Sequence, residues 1–206
     1  ASSAEAVVAA VKIGGSKAVG IQADLTKAGE PDRVVAATLK ELGGLDILVN
    51  NAGFLVQRCP IAEMPDELFR TIMDVNLTST FWMCRAALRH MLPKQSGNIV
   101  NMSSAAAFTG GGGGATVYAT SKAAIVGFTR ALAKEVGPKG IRVNAVALGQ
   151  IATQFHERFS TPEGRANTVK TIPLGREGAA EEIAGAVAYL ASPAASFVSG
   201  EVLGIN

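Results

Sequence analysis

The feature that most restricts the fold of this chain is an alternation of short apolar stretches with longer helical patterns. Residues 45–49, 97–103, 141–148 and 202–205 read as strands, and 17–25 reads as a buried strand ending in a polar turn. Helical spacing fills the intervals. Val7, Val8 and Val11 mark a first helix, and 31–42 follows with Val34, Val35 and Leu39 before Gly43-Gly44 ends it. Pro65 suits the first residue of a helix through Leu68, Phe69 and Ile72. A further helix over 77–91 should stop before Pro93, 117–136 should end at Gly137-Pro138, and 180–191 precedes the last strand. Strands of about 5–8 residues between helices fit a parallel sheet covered on both faces. No repeat, linker or change of composition divides the chain, so 1–206 is expected to be one α/β domain.

Composition excludes several functions. With 48% hydrophobic and 17% charged residues the chain can bury a core and is not of the disordered kind. A net charge of +2 without a Lys/Arg cluster offers no nucleic-acid footprint. Arg, Lys or Pro interrupts every apolar run before the ~20 residues that span a bilayer, so no membrane partner is expected. Cys59 and Cys84 lack a Cys-x-x-Cys spacing and read as reduced thiols; with no signal segment, the expected location is the cytoplasm. His90 and His156 have no companion at metal-ligand spacing, so no metal is expected. The chain opens on Ala1 without an initiator Met, which reads as a fragment of a longer protein.

In open parallel sheets ligands bind at the carboxyl ends of the strands. Small polar residues gather there: Asp24, the run 50–53, Ser103 and Ser104, and 149–153. Each alone would also serve as a turn or cap. Downstream, Tyr118 and Lys122 are four residues apart and would share one helix face. A free phenol, near pKa ~10, exchanges protons poorly at neutral pH, and an adjacent ammonium would favour the phenolate. Amphipathic helices carry such pairs incidentally, so the chemistry depends on what surrounds this one.

Several ordered motifs resemble those of the classical short-chain dehydrogenase/reductase family. They are Ala23-Asp24-Leu25, Leu45-Asp46-Ile47-Leu48-Val49-Asn50-Asn51-Ala52-Gly53, Asp74-Val75-Asn76-Leu77 and Gly97-Asn98-Ile99-Val100-Asn101-Met102-Ser103-Ser104. Tyr118-Ala119-Thr120-Ser121-Lys122-Ala123-Ala124, Gly140-Ile141-Arg142-Val143-Asn144 and Ile172-Pro173-Leu174-Gly175-Arg176 continue the series. The resemblance implies a doubly wound, Rossmann-like parallel sheet with strand order 3-2-1-4-5-6-7. In this chain the first two strands would be lacking, which leaves an open apolar edge. It also implies hydride transfer between NADP(H) or NAD(H) and a small carbonyl or alcohol substrate. Tyr118 would be the acid/base, Lys122 would lower its pKa and hold the nicotinamide ribose, and Asn76 would anchor a water linking Lys122 to solvent. Ser104 would polarise the carbonyl, the spacing to Tyr118 favouring it over Ser103. Asp24 and Leu25 would meet the adenine, Asn51, Ala52 and Gly53 its ribose, and Ile151 and Thr153 the nicotinamide end.

The family's Gly-rich phosphate turn is absent, and Gly110–Gly114 does not replace it, because it lacks Gly-Lys-Ser/Thr and falls between Ser104 and Tyr118. That run reads as a flexible pocket wall. Leu148-Gly149 stands where the family has Pro-Gly, which predicts a looser nicotinamide end. Ala1-Ser2-Ser3 resembles a segment of NADP-preferring members. Phe155, Phe159 and Ile172 would line a lid over the substrate or pack in the core. The helices at 77–91 and 117–136 correspond to the family's dimer interface, so a homodimer or homotetramer is expected. The alternative is a truncated or noncatalytic member that serves as a binding or oligomerisation subunit without cofactor.

Overall fold

Apolar alternation along one strand fixes the layering of the whole molecule. In the computed structural model, which describes residues 3–206, Ile99 and Val100 are both fully buried yet point to opposite faces of a parallel sheet. Ala1 and Ser2 of the segment Ala1-Ser2-Ser3 lie outside the described residues. The chain runs α1 (Ser3–Ile13), α2 (Glu30–Leu42), β1 (Ile47–Asn50), α3 (Asp66–Met73), a π-turn (Asp74–Thr78) and α4 (Ser79–Lys94). It continues β2 (Gly97–Ser104), α5 (Ala106–Thr109), α6 (Thr116–Val136), β3 (Ile141–Leu148), α7 (Gln154–Phe159), α8 (Pro162–Val169), α9 (Ala180–Ala191) and β4 (Val202–Ile205). The strands pair in parallel in the order β1-β2-β3-β4, with Gly97 opposite Ile141 and Asn50 opposite Asn101. This is the Rossmann-like α/β fold of a single domain.

Ile99, Ile141 and Val143 meet Cys84, Leu88 and Met91 of α4 and Leu132 and Val136 of α6 on one face. Val100, Met102 and Val146 meet Ile183 and Leu190 of α9 on the other. The central strands are therefore covered twice. β1 is covered once: Leu48 joins the first cluster, while Ile47 and Val49, on the opposite face, are 45% and 41% exposed.

Residues 17–25 form no strand, contrary to the sequence pattern. Among the described residues no neighbouring strand supplies a hydrogen-bonding ladder, and an extended stretch without one has nothing to fix it as sheet. It is held instead by Leu25, which packs against the cluster of α2 and α4, and by Arg33, whose Nη2 donates to the Gln22 carbonyl at 2.6 Å. The helix expected to stop before Pro93 runs on to Lys94. Proline there removes a single hydrogen bond in the last turn, and the end is made by Gln95 in the left-handed region (φ 50°), whose N–H donates to Leu92. Pro65 precedes α3 as its cap and is not its first residue. Among the described residues no helix is long and apolar enough to cross a membrane.

Candidate active site

Tyr118 and Lys122 occupy the first and second turns of α6, which lies against β2 and β3. Their i,i+4 spacing does place them together: the Lys122 Nζ is 5.9 Å from the centre of the Tyr118 ring. The ammonium is aimed past the ring, donating to the Met102 carbonyl at 2.9 Å. Burial brings Lys122 down to about 8. Burial also pushes the Tyr118 phenol up, and the nearby Ser104 hydroxyl offsets part of that shift. The expected depression of Tyr118 by Lys122 is therefore corrected. Loss of water sets the direction of the shift, and the Lys122 hydrogen bond goes to the strand backbone.

The two serines at the end of β2 separate cleanly. Ser103 points into the core and donates to the Lys122 carbonyl at 2.8 Å, so it anchors the helix. Ser104 is half-buried on the Tyr118 side; its Oγ accepts from the Ala106 N–H at 3.1 Å and leans toward the Leu148 carbonyl at 3.5 Å.

Asn76 reaches the same place from the π-turn between α3 and α4. The Ser79 N–H donates to the Asp74 carbonyl, one residue wider than an α-helical bond. Hydroxyls of Ser79 and Thr80 donate to the Val75 and Asn76 carbonyls at 2.8 and 3.0 Å, which suits the widened turn. The Asn76 side chain is fully buried and donates through Nδ2 to the Phe54 and Ile72 carbonyls, each at 2.9 Å. Its Oδ1 has no protein partner. A buried orphan acceptor of this kind fits a water molecule. Gly53 shows how close the groups stand: a Cβ there would lie 2.7 Å from Asn76 Oδ1 and 3.1 Å from Lys122 Nζ, at a φ of 155° that other residues rarely adopt.

The candidate cofactor residues fall in three places: after β1, after β3, and in the stretch before α2 that forms no strand. Asn51, Ala52 and Gly53 are exposed just after β1. Ile151 forms an isolated parallel bridge with Gly178 in which Gly178 donates to Gln150 and Ala152 to Gly178. That pattern leaves Ile151's own N–H and carbonyl facing away from the bridge, the carbonyl accepting from Thr153 Oγ1 at 3.3 Å. Asp24 is exposed, with Thr26 N–H and Oγ1 donating to it at 3.0 and 2.6 Å, and these bonds hold its carboxyl below the usual range. Leu25 beside it is half-buried. These are the residues that the family resemblance assigns to the nicotinamide and adenine ends of a dinucleotide. Among the described residues no Gly-rich turn meets its pyrophosphate, and Gly110–Gly114 wraps Arg58 and Cys59 instead.

One group of residues escaped sequence reasoning, and two of the three expected lid residues lie together beside Tyr118. Under the site, Asn50 Nδ2 donates to Asn101 Oδ1 at 2.9 Å, and Asn101 Nδ2 donates to Thr129 Oγ1 at 2.9 Å, a buried polar chain from β1 to α6. Asparagines inside two apolar strands were the available signal. Over the site, Phe155 lies 5.9 Å from Tyr118 and 5.2 Å from Phe159, ring centre to ring centre, and both join Leu55, Ile72 and Val117 in one apolar cluster. Ile172 is not in that cluster. It lines a cavity of about 60 Å³ with Ile151, Leu174 and Gly178. His156 bonds Ser160 and His90 faces Lys94, and no group of metal ligands occurs among the described residues.

A family model described as enoyl-(acyl carrier protein) reductase matches residues 1–206. The chain is 40% identical over 192 residues to a 3-oxoacyl-(acyl-carrier-protein) reductase of Vibrio cholerae, which covers 93% of this chain and 78% of that protein. It is also 40% identical over 205 residues to the 3beta-hydroxysteroid dehydrogenase 1 of Eggerthella lenta, covering 98% and 78%. Among solved structures, an NAD+-bound xylitol dehydrogenase superposes with a TM-score of 0.91 at 28% identity over 98% of this chain and 83% of the other. An NADH-dependent reductase of alginate metabolism gives 0.90 at 30% identity, over 100% and 81%.

Proposed function

From its place in the classical short-chain dehydrogenase/reductase family of NAD(P)-dependent oxidoreductases, to which the chain belongs, we propose that it interconverts a carbonyl and an alcohol with Tyr118 as acid/base. The observation that carries this reading is the convergence of Tyr118, Lys122, Ser104 and the orphan Asn76 Oδ1 at the end of β2. NAD(P)H supplies the hydride to the carbonyl carbon when bound. The carbonyl oxygen sits against the Tyr118 phenol and the Ser104 hydroxyl, which donate to it. Burial keeps the phenol protonated at neutral pH, so it begins the reduction as the acid. Once it has given its proton, the phenolate is favoured by the Lys122 ammonium. Lys122 and a water held on Asn76 Oδ1 return a proton from solvent. Asn51, Ala52, Gly53, Asp24, Leu25, Ile151 and Thr153 hold the dinucleotide.

Tyr118→Phe removes the acid without changing the shape of the buried ring. In the protein carrying this chain, NADPH oxidation with a 3-oxoacyl ester such as ethyl acetoacetate should fall by about 10²–10⁴-fold. Undiminished turnover would favour the noncatalytic reading.

NADP(H) is the proposed cofactor, on the resemblance of Ala1-Ser2-Ser3 to NADP-preferring members. NAD(H) is the second reading, favoured by the NAD+ and NADH in the names of the two similar structures. Calorimetric titration of NADPH and NADH separates them, and tighter NADH binding would reverse the order. We also propose a homodimer through α4 and α6. On this surface Phe81 is exposed, stacks edge-on to Phe128 at 6.2 Å and lies under Arg85 at 5.4 Å. Phe81→Glu should shift the sedimentation coefficient toward the monomer.

A further inference from the structure

Arg58 lies outside the proton-transfer machinery, in the loop between β1 and α3. Its guanidinium makes two hydrogen bonds to segments remote from it and from each other. Nε donates to the Phe159 carbonyl at the end of α7, at 3.0 Å. Nη1 donates to the Gly113 carbonyl at 2.9 Å. Among the described residues it forms no ion pair, so no carboxylate competes for these donors. The glycines fit closely around it. A Cβ on Gly112 would meet Arg58 Nη1 at 3.2 Å, and one on Gly114 would meet the Cys59 nitrogen at 2.9 Å, at a φ of 71°. The Cys59 N–H in turn donates to the Gly114 carbonyl at 2.9 Å.

α7 is the element that brings Phe155 and Phe159 over Tyr118. Its six residues bury none completely, and no side chain caps its first turn. The chain on either side of α7 is tied together separately, at its root: Arg165 of α8 pairs with Glu177 at 2.5 Å, and Gln150 donates to both Glu177 and the Arg165 carbonyl. At its last residue, Phe159, α7 meets the glycine loop through Arg58.

We propose that Arg58 is a positioning residue that latches α7 to the glycine loop across the mouth of the Tyr118 site. A substrate carbonyl reaching the phenol has to part Phe155 from Tyr118, and the latch sets how readily that happens and how firmly the cover returns. The planar fork of arginine suits the task, since spaced donors on one rigid group hold two carbonyls at once. Lysine, a point donor on a flexible stem, does not hold both in the same way. The consequence for turnover rests on the Tyr118 reading; the latch itself does not.

Hydrogen exchange by mass spectrometry tests the latch whatever the activity. In Arg58→Ala, amides of 110–114 and of 154–160 should both exchange about tenfold faster, because each segment loses its hydrogen bond to the guanidinium. Residues 97–104 and 141–148 should be unchanged. Arg58→Lys should restore little of the protection, although it restores the charge. Gly114→Ala, which pushes the loop away while Arg58 remains, should give the same paired signature. Acceleration of only one segment, full protection in Arg58→Lys, or acceleration spread over the central strands would overturn the proposal. In the turning-over protein, Arg58→Ala should raise KM about 3–10-fold with kcat within about twofold. A lowered kcat at unchanged KM would refute the positioning role. Persistent turnover in Tyr118→Phe would remove the acid/base reading and leave the exchange result standing.

Discussion

The centre of the sheet and its β1 edge are built from similar sequence and behave differently. Ile99 of β2 and Ile47 of β1 are both isoleucines in short parallel strands of the same sheet. One is enclosed by helices α4 and α6, and the other is nearly half exposed. The proposed proton-transfer residues belong to the enclosed half: Ser104 ends β2, and Tyr118 and Lys122 lie on the helix that packs over β2 and β3. Of the proposed dinucleotide contacts, Asp24, Leu25 and Asn51 to Gly53 belong to the open half, on β1's end and on a stretch with no ladder. Groups that must hold sub-ångström geometry during chemistry are carried where packing over-determines position. Groups that grip a long ligand can be carried where the ligand itself supplies contacts.

Paired substitutions sharpen this contrast. Ile99→Ala, by opening a cavity between three elements, should cost about 2–5 kcal/mol in chemical denaturation, and Ile47→Ala less than ~1 kcal/mol. Equal costs would mean that β1 is covered in solution. Next in size is Lys122→Met. The folded-state value of Lys122, about 8, lies below its usual 10.5, so the folded chain releases a proton that the unfolded chain retains between those limits. Folding stability should therefore rise as pH climbs from about 8 to 10.5. Removing the buried ammonium, less the lost bond to Met102, should stabilise the protein by about 1–2 kcal/mol at pH 7. That advantage should fade toward pH 10.5 while activity is lost; a destabilised Lys122→Met across the whole range would show that the lysine holds the centre together.

The smallest effect belongs to the root of the lid. Arg165 holds the Glu177 carboxyl down to about 2 from its usual 4.5. A depressed carboxylate stabilises the fold above the unfolded value and loses that contribution as pH falls, here from about 4.5 toward 2. Proteolysis within 154–170 should quicken over that window and stay flat with pH in Glu177→Gln.

Legibility in the sequence followed the same division. β3, β4 and α9 are found at the residues where apolar periodicity put them, because each has a partner that rewards the pattern. The stretch 17–25 has the same pattern, but the outcome depends on a neighbour that no local signal can supply. Tyr118 and Lys122 were visible as a helical spacing, yet the direction of the Tyr118 shift was not, since it depends on how much water the fold removes. The link from Asn50 to Asn101 spans 51 positions, and Arg58 reaches Phe159 across 101; such contacts carry no periodicity.

The widened turn at Asp74–Thr78 carries a consequence for heredity as well as for shape. It behaves as a one-residue insertion absorbed inside a continuous helical rod. Each helical residue advances the face by about 100°. Deleting any one of these five codons would let the rod close to ordinary α-helix, and everything on one side of the lesion would turn by that angle relative to the other. Either Asn76 would swing away from Lys122 or Ile72 would leave its apolar cluster. A gap of one position in this stretch should thus be less tolerated than a gap in the loops before α3 or after α4.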